Sequence, residues 1–113
     1  MVKGTRQYWE HGQVALTSTS VPVKIAELHK GEAIWIKAKV TNGDSVYIGN
    51  DDHVSSSNGY ILDQGEGIKL EFDPGSDTIN FLEVWALPAT ADDVVTFYRI
   101  IDFKPWNKSQ GDQ

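Results

Sequence analysis

SVYIGNDDHVSSSNGYILDQGEGIKLEF, residues 45–72, reads as a strand, a polar loop, a short strand, a glycine-punctuated turn and another strand. Two runs of alternating apolar residues flank a segment dense in Asn, Asp, Ser and Gly, the pattern of antiparallel strands joined by surface turns. Val46 and Ile48 alternate with Tyr47 and Gly49 in the first run, and Ile68, Leu70 and Phe72 alternate with Lys69 and Glu71 in the last. Residues 60–62 make a short strand between them, and residues 64–67 turn the chain. No residue of the stretch forms a catalytic constellation.

Upstream, residues 33–41 alternate in the same way: Ile34, Ile36, Ala38 and Val40 share one face, and Trp35, Lys37 and Lys39 the other. This is a half-buried antiparallel strand whose outer face is polar apart from Trp35. Asn42-Gly43 follows, and because both residues tolerate positive φ it predicts a tight hairpin joining this strand to residues 45–49. Residues 13–17 and 21–25 are short β-branched runs, with Pro22 suited to an edge or a strand start. Residues 1–12 mix charges, Tyr8 and Trp9 with two glycines and show no period, so they read as an N-terminal arm.

Downstream, residues 78–87 and 93–101 are apolar on both faces. Ile79, Phe81, Trp85 and Leu87 oppose Leu82, Val84 and Ala86, and Val95, Phe97 and Ile101 oppose Val94, Tyr98 and Ile100. Such strands either lie centrally under cover on both sides or turn one face to another subunit. Residues 89–94 offer the single candidate for a helical turn, with Thr90 as its cap. Residues 103–113 form a C-terminal arm that carries Phe103 and Trp106. The expectation is an all-β, single-domain β-sandwich of jelly-roll type over residues 13–102, flanked by arms at 1–12 and 103–113.

At 113 residues the chain has room for one two-layer core, and it has no cysteine, which excludes disulfides, thiolate metal sites and a Cys nucleophile. The formal net charge of −6 and the lack of a basic stripe argue against nonspecific binding to nucleic acid or an anionic membrane. No segment reaches the roughly 20 apolar residues of a membrane span, and no export signal opens the chain, so synthesis in the cytoplasm is expected.

The candidate chemistry is sparse. Asn50, Asp51, Asp52 and His53 could offer oxygen and imidazole ligands, but the spacing matches no calcium loop, and Asn and Asp commonly stabilise turns through their own backbone. His11 and His29 are remote in sequence from His53. Ser55, Ser56 and Ser57 lack a nucleophile elbow, and Asn107-Lys108-Ser109 fits a glycosylation acceptor without a secretion signal. The expectation is therefore no catalysis, no metal and no cofactor. What remains is aromatic: four tryptophans and four tyrosines suit either sugar stacking or a protein interface. Tyr8, Trp9, Phe103 and Trp106 on the arms, with Trp85 and Phe97 on the late strands, are the candidate interface residues.

In VYIGNDDHVSSSNGYILDQGEGIKLEF the sequence resembles a group of small β-rich structural proteins of tailed bacteriophages. In that group a strand ending in Val-Tyr-Ile-Gly leads through a Ser/Thr-rich loop and Asn-Gly-Tyr to a Gly-Glu turn. Val21-Pro22-Val23 and the run LEVWA at residues 82–86 extend the resemblance. It implies a virion protein, specifically a capsid decoration (cement) protein that forms a homo-oligomer, often a trimer, on the head and binds the major capsid protein. The alternatives are a tail- or fibre-associated domain and a carbohydrate- or receptor-binding module.

Overall fold

The structure, a computed structural model, describes residues 6–73 and 81–103, and within them the side chains of residues 9–73 and 81–101. Eight strands follow one another: β1 (Arg6–Leu16), β2 (Val23–His29), β3 (Ala33–Ala38), β4 (Val46–Gly49), β5 (Tyr60–Leu62), β6 (Gly67–Glu71), β7 (Phe81–Pro88) and β8 (Asp93–Phe103). They form two four-stranded sheets. The first has the order β1-β8-β3-β6 and the second β2-β7-β4-β5, all neighbours antiparallel. The chain is thus an all-β sandwich, as its alternation predicts.

The core lies where the inner faces meet. Leu16, Ile34, Ile36, Ala38 and Val95 of the first sheet and Ala26, Leu28, Val46, Ile48, Leu62, Val84 and Ala86 of the second are buried together. β7 and β8 are central strands, each between two others in its own sheet. They belong to different sheets, so their outer faces point in opposite directions and do not add into one patch.

Four sequence expectations change. Residues 6–12 are not an arm: they are the first half of β1, whose 11 residues pair without interruption with β8. Phe103, assigned to the C-terminal arm, ends β8 opposite Arg6. The inward positions of β1 include Glu10, opposite Arg99, and Gly12, opposite Phe97. A Cβ on Gly12 would lie 3.1 Å from Phe97 Cε1, so the glycine makes room for that ring.

Asn42-Gly43 does not make a hairpin. It carries the chain from β3 in the first sheet to β4 in the second, and neither residue takes a positive φ. The Asn42 side chain instead pairs with the backbone of Val94 in both directions, Nδ2 donating to its carbonyl at 2.9 Å and Oδ1 accepting from its N–H at 2.8 Å. The buried carboxylate of Asp93 accepts from the N–H groups of Gly43 and Asp44 at 2.8 and 3.0 Å. Asp93→Asn retains the shape but turns an N–H₂ donor towards one of these donors. It should cost about 1 to 3 kcal/mol, read as a lowered urea midpoint with an unchanged slope.

Residues 89–92 form a bend and turn instead of a helical turn, with Asp92 at φ 72°, and residues 93 and 94 already begin β8. The polar loop at residues 50–59 folds back on the second sheet. A Cβ on Gly59 would meet Tyr47 Cβ at 2.7 Å and the Ser55 carbonyl oxygen at 2.9 Å. Neither can retreat without moving backbone, so Gly59→Ala should destabilise by about 1 to 3 kcal/mol and lower the melting temperature.

Candidate interaction surface

The outer face of the first sheet carries a row of aromatic rings. β3 lies between β8 and β6, and its register sets Trp35 opposite Tyr98 on one side and Lys69 on the other. The Trp35 and Tyr98 rings stack at 4.6 Å with an interplanar angle of 7°, and Lys69 Nζ lies 5.1 Å from the Trp35 ring centre. Cross-strand pairs of this kind also strengthen the sheet, each by about 0.5 to 1.5 kcal/mol.

β1 extends the row. His11 is opposite Tyr98 and Trp9 is one outward position further on, with its ring edge-on to Tyr98 at 6.1 Å and 84° and 5.3 Å from the His11 ring. Trp9 is 60% exposed and Tyr98 42%. Trp9, His11, Trp35, Lys37, Thr96 and Tyr98 border a shallow depression of about 440 Å³. Trp35 is flanked from both neighbouring strands, stacked on Tyr98 and faced by Lys69. The row presents ring edges and the exposed side of Trp9.

The second sheet's outer face differs. Lys24 bonds Glu27 at 2.8 Å and approaches Glu83 at 3.5 Å, and the Trp85 indole N–H donates to Glu83 Oε1 at 2.8 Å. The hydrogen bond from Lys24 holds the Glu27 carboxyl below its usual range. Leu87 is 7% exposed beside Val54 and Ser55 of the 50–59 loop, so this sheet is partly covered by its own chain.

The candidate residues therefore scatter. Trp9 is on the first sheet's outer face and Trp85 on the second's. Phe97 points inward and packs against the core, and so is no part of an exposed face. Tyr8 lies on β1 and Phe103 on β8, with side chains outside the described set, and Trp106 lies outside the described residues. Trp35 and Tyr98, absent from the expected interface, are the centre of the row. The signal was present in Trp35, the one aromatic residue on the otherwise largely polar face of its strand.

The Asp51, Asp52 and His53 ligand atoms lie within 4.8 Å of one another, and all three residues are exposed. Asp51 Oδ1 accepts the His53 backbone N–H at 2.9 Å, the turn-stabilising role expected of it. Among the described residues no helix is long and apolar enough to cross a membrane.

Comparison with models of protein families finds no match, and no curated protein matches the chain. Among solved structures the chain is similar to a de novo designed double-stranded beta-helix determined by solution NMR. The identity is 16% and the TM-score 0.47, over 85% of this chain and 99% of the designed one.

Proposed function

We propose that the protein is a non-catalytic structural protein that attaches to a larger protein assembly through the outer face of its first sheet. The observation that carries this reading is the aromatic row, in which the central Trp35 ring is stacked on Tyr98 and faced by Lys69, leaving Trp9 as its exposed ring. A sugar-binding platform needs free ring faces, whereas a protein interface uses the edges and bulk of such rings. Following the resemblance carried by residues 46–72, the assembly in this reading is the head of a tailed bacteriophage. In that reading the chain is a capsid decoration protein, made in the host cytoplasm and resident on the virion, with the major capsid protein as partner.

The strand order supports reading the sandwich as a jelly roll: β1–β8, β2–β7, β3–β6 and β4–β5 are the nested pairs of one long hairpin folded over on itself. Such a body is rigid and has a broad sheet face, which is what a shell-binding protein needs. Quantitative mass spectrometry of purified particles tests the assignment. A fixed stoichiometry with the major capsid protein is expected. Absence from the particles overturns it, and selective binding of the free protein to a glycan array favours the carbohydrate-binding alternative.

A further inference from the structure

Each sheet has two edge strands, and three of the four carry a device that deters another strand from pairing. β5 has only 3 residues. β2 follows Pro22 and has a register shift between Lys24 and Ala26. β6 has 5 residues and carries Lys69 and Glu71 outward. β1 has none of these: it runs for 11 residues with unbroken register, contains no proline, and among the described residues no strand lies on its outer side. An inward carboxylate on an edge also deters addition, but Glu10 is met by Arg99 Nη1 at 3.7 Å. Natural β-proteins seldom leave such an edge unpaired.

We propose that the outer edge of β1 pairs antiparallel with β1 of a second copy, making one continuous eight-stranded sheet across a two-fold axis. A long edge without such devices is a template for another strand, and in a solution of the protein alone the strand at hand is another copy's. Two-fold pairing uses both open edges at once and leaves none to propagate. The ionisable residues of β1 are Arg6, Glu10 and His11, so the strand carries both signs of charge and no run of like charges. Trp9, 60% exposed, gains cover beside the seam, and the aromatic row continues into the partner's. The inference stands independently of any virion role.

Sedimentation equilibrium at micromolar concentration should give twice the 12.6 kDa chain mass. Because the chain has no cysteine, the variants His11→Cys, Gln13→Cys and Lys69→Cys each report a single site. In a two-fold seam, outward residues near the axis lie opposite their own copies or within about 7 to 8 Å of them. A short bifunctional thiol reagent should therefore link His11→Cys or Gln13→Cys chains roughly 100-fold faster than Lys69→Cys chains, given the millimolar effective concentration within a dimer. A monomeric or trimeric mass for the unsubstituted chain, or equal linking rates at β1 and β6, overturns the proposal.

Discussion

A chain carrying Arg99→Met is expected to unfold with about 3 to 5 kcal/mol less stability, a fall in melting temperature of roughly 10 to 25 °C. Arg99 projects inward from β8, and its side chain is 15% exposed. Nη2 donates to the Glu27 carbonyl oxygen on β2 at 2.9 Å, which ties the first sheet to the second. The same nitrogen lies 3.4 Å from Glu32 Oε1, an atom that also accepts the His29 backbone N–H at 2.9 Å. Glu32 is only 5% exposed. Methionine fills much of the arginine's volume but leaves that carboxylate buried beside no cation, and an orphaned buried charge costs more than the intact pair contributes. Adding Glu32→Gln should recover a large part of the loss, so the double variant is expected to be more stable than Arg99→Met alone. Additive losses in calorimetry would show that the pair is not coupled.

The second large effect concerns attachment. Trp35→Ala removes the ring at the middle of the row, between Tyr98 and Lys69, and exposes no core residue, since Ile34 and Ile36 beside it point inward. Aromatic residues central to an interface commonly carry about 2 kcal/mol or more, so affinity for the particle should fall roughly 30-fold or further. Trp85→Ala deletes the same side chain from the opposite sheet and should leave affinity within about a factor of two, the behaviour of residues outside an interface. Binding isotherms on particles stripped of the protein measure both. Equal losses for the two variants would mean that the first sheet's face has no special part in attachment.

The sandwich could be read from the sequence wherever one face of a strand is uniformly apolar. Residues 33–38 and 67–72 alternate because their inward side chains are apolar and pack into the common core, and both strands are where the pattern puts them. The first half of β1 was hidden because its inward positions are Glu10 and Gly12. One is accommodated by Arg99 and the other by the Phe97 ring, both supplied by the last strand. No window around residue 10 contains that information. Asn42-Gly43 misled for a related reason. Its local preference is a tight turn, but the Asn42 amide has a better use as a surrogate strand residue for Val94.

The aromatic row was half visible. Trp35 stood out on a polar face, but its pairing with Tyr98 depends on β3 lying beside β8, a neighbour relation that alternation alone does not specify. Phe97 was misplaced for the converse reason: a strand apolar on both sides gives no hint of which side is inward. The partner of that side is decided by β1 and β3, which bring Gly12 and Ile36 level with it.

Hydroxyl-radical footprinting of the free and the particle-bound protein tests the central claim most directly, because Trp and Tyr rings label readily wherever solvent reaches them. Attachment through the first sheet predicts that Tyr98 and Trp35 lose labelling on binding while Trp85 and Phe81, on the opposite sheet, keep theirs. Unchanged labelling of Tyr98 and Trp35 together with protection of Trp85 would contradict it.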